Sequence, residues 1–144
     1  MISVQKLTFN PFQENTYVLF DETKECVIID PGCYEQHEQN ELTQFIEANE
    51  LKPVQLISTH SHIDHVLGNK FVMDTYGVEL QIHKQDLQTL ISVPTYAANY
   101  GFVDYQPCEV PTSFFEEGDK ITFGNSELDI LFVPGHARGH VAFV

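Results

Sequence analysis

Residues 59–65, which read Thr-His-Ser-His-Ile-Asp-His, constrain the fold of this chain more than any other segment. They place three imidazoles and a carboxylate directly after residues 54–58, whose apolar composition predicts a short buried strand. The next segment, residues 66–76, is predicted to be helical. In α/β proteins, loops that carry chemical groups lie at the carboxyl ends of strands. The order of strand, polar loop and helix therefore predicts an α/β fold with a site at one sheet edge.

The histidine-rich loop has the spacing of a metal site. His60 and His62 are two residues apart, so an extended backbone points both imidazoles to the same side. Asp64 and His65 follow where the chain turns into the helix. The change of backbone period lets the His65 imidazole reach a second ligand position, and the Asp64 carboxylate offers an oxygen ligand. Such donors suit Zn²⁺, with iron or manganese as alternatives. A loop of merely hydrogen-bonded histidines is disfavoured, because this clustering is unusual in a chain with seven histidines.

A third imidazole is needed to complete a catalytic zinc site, which has three protein ligands and one open position. His136 is the best candidate, since Gly135 and Gly139 let the backbone bring it close. His140 is either a fourth imidazole or, as we favour, a group that orients a ligand. Arg138 is equally well explained as an anion contact and as a solvated loop cation.

The remaining histidines and the cysteines are predicted to be structural. His37 and His83 stand alone in the sequence and are expected to be exposed or hydrogen-bonded. The three cysteines are odd in number and share no Cys-x-x-Cys spacing, which indicates reduced thiols. Cys26 is expected to be a buried strand residue. The loop position of Cys33 leaves a reactive or metal-ligating role as the minor alternative.

The charge of the chain argues against some functions. Lys plus Arg number 7 against 21 Asp plus Glu, for a formal net charge of -14. Such a chain repels phosphate backbones, which disfavours a nucleic-acid binder or a nuclease. The first residues do not resemble a basic signal sequence, and no stretch approaches the roughly 18 apolar residues of a membrane span. The expectation is a cytoplasmic protein without membrane contact.

The chain is predicted to form one domain over residues 1–144, with 42% hydrophobic residues to fill its core. An antiparallel meander precedes a helix whose apolar face is Leu42, Phe45 and Ile46. Gly77 is expected to cap the helix after the loop, and Pro94 to break a weakly helical segment. A hairpin turns at Gly124-Asn125, after a surface excursion over residues 102–115. The predicted strands are residues 2–9, 16–20, 26–29, 54–58, 79–82, 120–123 and 128–133.

Three motifs in order resemble the metallo-β-lactamase superfamily of metal-dependent hydrolases. They are His-x-His-x-Asp-His at 60–65, Asp-Pro-Gly at 30–32 and Pro-Gly-His-x-x-Gly-His at 134–140. The compact spacing, Thr59, the Gly-Phe pair at 101–102 and Glu-Gly-Asp at 117–119 are most similar to small glyoxalase II-like hydrolases. The resemblance implies an αββα sandwich with its site at one edge of two facing sheets.

The resemblance also assigns roles. It implies that a first metal is held by His60, His62 and His136, and a second by Asp64 and His65. Asp30 would support the site without coordinating a metal. Members of the family continue to an Asp that bridges both metals and to a further His, whereas this sequence ends at Val144. We therefore expect a longer native protein, by roughly half a domain, and its intact mass tests this.

The implied activity is hydrolysis of a small ester or thioester, with an acylated glutathione as the first substrate to try. The metal would lower the pKa of bound water and so generate hydroxide as the nucleophile, which means that no Ser or Cys nucleophile is required. Asp64 would orient that water or act as a base. The alternative is a metal-binding half-domain that needs a missing segment or a second copy, as in a homo-oligomer. Di-iron oxygen or nitric-oxide chemistry is a third hypothesis, and lactonase or phosphodiesterase chemistry stays open, whereas a secreted β-lactamase is disfavoured.

Overall fold

The structure is a computed structural model that describes residues 1–132 and 141–143, and it contains two β-sheets. The first sheet has six strands in the order β1-β2-β3-β4-β5-β6, antiparallel from β1 to β3 and parallel from β3 to β6. The second sheet is the antiparallel set β7-β8-β9. The strands are β1 Ser3–Phe9, β2 Glu14–Phe20, β3 Glu25–Ile29, β4 Lys52–Ile57, β5 Leu80–His83, β6 Phe114–Phe115, β7 Lys120–Phe123, β8 Ser126–Phe132 and β9 Val141–Phe143.

Strand β3 shows how the layers are arranged. Its side chains alternate between two separate apolar cores, with Cys26 and Ile28 in one and Val27 and Ile29 in the other. The first core lies between the six-stranded sheet and the helices. The second lies between the two sheets, where Ile121 and other residues of the second sheet complete it. The central sheet is therefore covered on both faces, as the near-continuous apolar run of β3 requires.

The helices are α1 Gln36–Ala48, α2 Ile63–Val66, α3 Asn69–Tyr76 and α4 Leu87–Tyr96. The predicted apolar face of α1 is confirmed, because Leu42 and Ile46 are buried and Phe45 packs against the same core. Within the described ranges, helices cover one face of the first sheet and none covers the outer face of the second. None of the described helices is long and apolar enough to cross a membrane.

The helix predicted over residues 66–76 is two helices. Helix α2 ends at Val66, and α3 begins only at Asn69. The break lies where Gly68 packs on the loop after β3, because its amide donates to the Pro31 carbonyl at 2.8 Å and a Cβ would approach the Cys33 sulfur to 2.5 Å. The predicted cap at Gly77 is confirmed, with a left-handed φ of 67°.

One prediction for the middle of the chain is wrong. Pro94 does not break the helix but lies inside α4, which runs on into a 3₁₀ turn, Ala97–Tyr100. Pro94 lies in the last turn, so its missing N–H removes one hydrogen bond near the end of the helix. The predicted surface excursion at residues 102–115 is confirmed for residues 103–110, which are exposed or partly exposed. Its ends are anchored, since Phe102 and Phe115 are buried and Phe115 pairs with β5. The meander and the hairpin turning at Gly124-Asn125 are confirmed.

Candidate metal centre

The predicted site residues meet at one edge of the first sheet. Strands β3, β4 and β5 are parallel, so the residues that follow them lie at the same edge. Asp30 follows β3, the histidine-rich loop follows β4 and Asp86 lies just beyond β5. Glu14 begins β2, which runs antiparallel to β3 and therefore starts at this edge. Residues far apart in the sequence thus converge around the loop at 59–65.

The three imidazoles of the loop are in contact. The ring centroids of His60 and His62 are 4.7 Å apart, and those of His60 and His65 are 4.1 Å apart. His60 is buried, whereas His62 and His65 are partly exposed. One possible ligand atom each from Asp30, His60 and His65 lie within 4.8 Å of one another. Asp30 and two imidazoles of the loop therefore place donor atoms within reach of one ion.

Both oxygens of Asp30 are engaged by neighbouring donors. Its Oδ1 accepts from the Thr59 amide at 2.7 Å, and its Oδ2 accepts from Thr59 Oγ1 at 2.5 Å and from His65 Nδ1 at 3.0 Å. A carboxylate has no proton to donate, so His65 carries a proton on Nδ1, and in the neutral imidazole Nε2 is the acceptor nitrogen. Asp30 thus orients a histidine, which is the usual role of a carboxylate behind a metal ligand.

The same hydrogen-bond chain defines the tautomer of His60. Thr59 Oγ1 gives its only proton to Asp30, so it accepts from His60 Nδ1, which lies 3.0 Å away. The acceptor nitrogen of His60 is then Nε2. On the other side, the Nε2 atom of His65 lies 3.4 Å from Oδ2 of Asp64. Two acceptor imidazoles and a facing carboxylate oxygen are a donor set that suits zinc or another divalent cation.

The described residues therefore fit a metal, and those that would hold it are His60, His62, Asp64 and His65. The ligand assignments themselves stay predictions. His136, His140 and Arg138 lie outside the described residues. The nearest described residue after them is Val141, whose amide donates to the Thr59 carbonyl at 2.9 Å.

Glu14 is a site residue that the sequence analysis missed. Its side chain is buried, Thr16 Oγ1 donates to its Oε2 at 3.0 Å, and Oε1 lies 3.5 Å from His65 Nδ1 without a hydrogen bond from any described residue. Burial, and then the charge of Asp30, raise the pKa of Glu14 to about 10. Its signal in the sequence was the alternation of β2, which points Glu14, Thr16 and Val18 to the same buried face.

Asp86 was missed as well. It is buried, and its Oδ2 accepts from Ser61 Oγ at 2.5 Å, so it holds the residue between His60 and His62. Its Oδ1 has no hydrogen-bond partner among the described residues. Burial raises the pKa of Asp86 to about 6, against the opposing effect of its hydrogen bonds with Ser61. No local pattern joins Asp86 to Ser61, because the contact depends on the packing of β4 beside β5.

The electrostatics of the site favour a cation. Burial lowers the pKa of His65, but the hydrogen bond and charge of Asp30 and the charge of Asp64 outweigh it, so the net shift is upward. Positive charge on this imidazole is thus stabilised by its surroundings. A bound metal would satisfy the same carboxyl groups without a proton on the ring.

An open cleft of about 500 Å³ adjoins the histidine loop. It gives a small molecule access to the side chains of His62 and Asp64. The remaining lining is largely aromatic, and the complete set is Phe12, His62, Ile63, Asp64, Tyr96, Asn99 and Tyr100.

The residues predicted to be structural behave as expected. His37 is exposed, and His83 is buried with its Nδ1 accepting from the Gln85 amide at 3.1 Å. Cys26 and Cys33 are both buried, and burial raises the pKa of each thiol to about 12. The minor alternative of a reactive Cys33 is thereby disfavoured, since thiolates are the reactive form.

Two facing sheets with a loop of imidazoles and carboxylates at one edge define an α/β protein with a candidate metal site. Residues 9–144 match the sequence profile of the Metallo-beta-lactamase superfamily. The chain belongs to this superfamily, which is one of hydrolases, and it has the mixed α/β metallo-β-lactamase fold.

Relatives and solved structures agree with this assignment. The hydroxyacylglutathione hydrolase GloC of Haemophilus influenzae is 29% identical over 144 residues, which cover 99% of this chain and 66% of GloC. The structure of TTHA1623 in a di-iron-bound form superposes with a TM-score of 0.81 at 30% identity, covering 98% of this chain and 66% of that one. The BLEG-1 B3 metallo-beta-lactamase, at 24% identity with the same coverages and a TM-score of 0.81, shows the fold alone. The chain thus spans just under two thirds of the length of these proteins.

Proposed function

We propose that this protein hydrolyses an ester or thioester bond of a small molecule, in the manner of glyoxalase II, with zinc as its first candidate metal. The observation that carries the proposal is a hydrogen-bond network in which Asp30 accepts from Thr59 and from His65, and Thr59 accepts from His60. It keeps a proton on Nδ1 of both histidines, so that Nε2 is the acceptor nitrogen of each neutral imidazole. The printed name of GloC, a hydroxyacylglutathione hydrolase, supports the thioester. The di-iron form of TTHA1623 makes iron the second candidate metal.

Each residue of the site has a defined task in this proposal. His60, His62, Asp64 and His65 would hold the metal, with His136 as a further predicted ligand. When bound, a divalent cation supplies Lewis acidity and lowers the pKa of water toward neutrality. Asp30 and Thr59 keep the proton of each supporting imidazole on Nδ1. Asp86 holds Ser61 and thereby the spacing of His60 and His62.

Asp64 is the residue proposed to handle the proton of the attacking water. Its carboxylate is partly exposed and lines the cleft, so a water molecule and a substrate can both reach it. One carboxylate oxygen accepts a hydrogen bond from the water and orients it toward the acyl carbon. In hydrolysis a C–O bond forms from that water, the C–S or C–O bond of the substrate breaks, and the departing thiol or alcohol takes up the proton.

The proposed substrates are small molecules, and the proposed compartment is the cytoplasm. A net charge of -14 supports small-molecule substrates, because it repels nucleic acids and anionic lipid surfaces. The competing proposal is a metal-binding unit that becomes active only with a further segment or a second copy, and the chain spans 66% of the length of GloC. Size-exclusion chromatography with and without zinc separates the two, since a monomer that hydrolyses thioesters contradicts the competing proposal.

The central test is metal content measured with His60→Ala. We expect this variant to lose most bound metal and thioester hydrolysis, because it removes a buried imidazole whose Nδ1 is already oriented by Thr59. His37→Ala is the matched control, since His37 is exposed and lies outside the site. Inductively coupled plasma mass spectrometry identifies the metal and its ratio to the chain. An unchanged metal content in His60→Ala would refute the assignment.

A further inference from the structure

We propose that the cleft beside the histidine loop receives an uncharged aromatic acyl group, so that the preferred substrate is an ester or thioester of an arylacetic acid. The turnover part of this inference rests on the proposed function. The binding part does not, because it concerns the shape and chemistry of the cleft wall.

The cleft is built from two separate parts of the chain. Phe12 comes from the turn between β1 and β2, and Tyr96 and Tyr100 come from the end of α4 and the 3₁₀ turn that follows it. These aromatic side chains stand around His62 and Asp64 in a space of about 500 Å³. A group bound between the rings would therefore hold its carbonyl beside the residues proposed to bind metal.

The aromatic side chains are held in place by one another. Phe12 and Tyr100 meet edge to face with centroids 6.0 Å apart, and Tyr96 and Tyr100 do so at 5.8 Å. The ring centroid of Phe12 also lies 6.1 Å from that of Phe102. Phe102 is only 3% exposed and connects this group of aromatic rings to the core. Yet Phe12 is 49% exposed and Tyr100 is 55% exposed. Large exposed rings in fixed positions are typical of a binding surface, because little side-chain freedom is lost when a ligand arrives.

The described wall of the cleft favours uncharged acyl groups, because the side chains around the rings include no cation. Among the described residues that line it there is a carboxylate, Asp64, and neither Lys nor Arg. The chain as a whole carries a formal charge of -14. A carboxylate on an acyl group bound between the rings would thus find no cationic side chain among the described lining residues to pair with. The amide of Asn99 can hydrogen-bond to a neutral polar group at the same wall.

The rings of the cleft favour an aromatic group over an aliphatic one of the same size. Both would remove similar apolar area from water, but an aromatic ring adds edge-to-face contacts with the tyrosines and Phe12. Such contacts correspond to a preference of about two- to tenfold in the dissociation constant. Tighter binding of the aromatic group therefore distinguishes a pocket selective for aromatic rings from a surface that binds any apolar group.

Binding is tested by NMR titration of the complete protein with three amides. Phenylacetamide is expected to bind about two- to tenfold more tightly than cyclohexylacetamide, and succinamate, which carries a carboxylate, is expected not to bind. Tyr100→Ala and Phe12→Ala should each weaken phenylacetamide binding by about threefold or more. Ile91→Ala is the matched control, because Ile91 lies in α4, next to the turn of Tyr100, and is 47% exposed but lines a different cleft. Equal binding of the phenyl and cyclohexyl amides, or no effect of Tyr100→Ala, overturns the inference.

Turnover is tested with phenylacetyl and succinyl thioesters of the same thiol. We expect a lower KM for the phenylacetyl ester, raised about three- to tenfold in Tyr100→Ala and unchanged in Ile91→Ala. A preference for the succinyl ester contradicts the inference while leaving thioester hydrolysis intact. If no ester or thioester is hydrolysed at all, the proposed function fails, and the titration with phenylacetamide still decides whether the cleft binds aromatic groups.

Discussion

The side chain of Asp86, just after β5, holds Ser61, the residue between His60 and His62. Its carboxyl accepts from Ser61 Oγ while its other oxygen has no hydrogen-bond partner among the described residues. A buried carboxylate in this position is costly when ionised. The group is retained next to the site at the expense of stability, which is common where function sets the residue.

This cost predicts a pH-dependent difference between the wild type and Asp86→Asn in metal-free protein. Burial raises the folded pKa of Asp86 from 3.8 to about 6, so the folded state holds a proton that the unfolded state has lost. The stabilising effect of that proton is fully present below pH 3.8 and is lost as the pH rises through about 6. The wild type should lose roughly 3 kcal/mol relative to the amide between pH 4 and 7.

Urea unfolding of both proteins at several pH values measures this difference. Asn keeps an acceptor for Ser61 but does not titrate, so other groups, including Glu14, cancel in the comparison. Parallel pH profiles for the two proteins would show that Asp86 does not titrate as its burial demands.

The residues of the site differ in how far the sequence could predict them. The histidines and Asp64 are neighbours in the chain, so their spacing alone indicated a metal site. Asp30 was assigned a supporting role by resemblance, but its three accepted hydrogen bonds depend on β3 lying beside β4. Glu14 and Asp86 could not be assigned, because Glu14 reaches the loop from β2 and Asp86 from the turn after β5, and the neighbours of both strands are set by tertiary packing.

At the level of elements, the turn of the β7–β8 hairpin is fastened to the turn between β2 and β3. Oδ2 of Asp21 accepts from the Asn125 amide at 2.8 Å and from Ser126 Oγ at 2.7 Å. The Gly124 amide donates to Glu25 Oε1 at 2.8 Å. The two sheets are therefore joined at this end by polar contacts as well as by their shared apolar core.

This joint predicts a large effect of Gly124→Ala. Gly124 has φ 54°, and a Cβ there would overlap the Thr23 hydroxyl and approach both Asp21 oxygens within 2.6 Å. Gly77→Ala is the matched control, because Gly77 has φ 67° with nothing within 4 Å of its Cβ. Both variants bear the left-handed backbone cost of about 1 kcal/mol. Gly124→Ala should lose about 1–3 kcal/mol more, from crowding.

The urea midpoint at constant m-value gives this comparison directly. Equal losses in Gly77→Ala and Gly124→Ala would mean that the Asp21 contacts adjust without cost.

The hairpin itself was predictable, since Gly-Asn between apolar runs is a local signal. The break between α2 and α3 and the continuity of α4 through Pro94 were not, because the first depends on the Pro31 loop and the second on where the helix ends.

At the scale of the whole molecule, negative charge opposes compaction. The chain has 21 acidic and 7 basic side chains, and the ion pairs of Lys70 and Lys120 involve exposed carboxylates. Exposed pairs add little stability, whereas unbalanced like charges repel over the Debye length of about 30 Å at 0.01 M salt. Folding brings these charges together, and the carboxyl-rich edge around Asp30 and Asp64 concentrates them further.

We therefore expect the free energy of unfolding of the metal-free protein to rise between 0.01 and about 0.3 M sodium chloride at pH 7, as screening weakens this repulsion. Urea unfolding at fixed temperature measures it. The control is the same series near pH 4.6, the isoelectric point of the sequence, where the net charge vanishes and the salt effect should largely disappear. Zinc at micromolar concentration adds negligible ionic strength, so any stabilisation it brings reports binding at the histidine loop and should be absent in His60→Ala. If salt instead lowers the stability at pH 7, attractive ion pairs outweigh the repulsion, and the acidic surface is not what limits the stability of this fold.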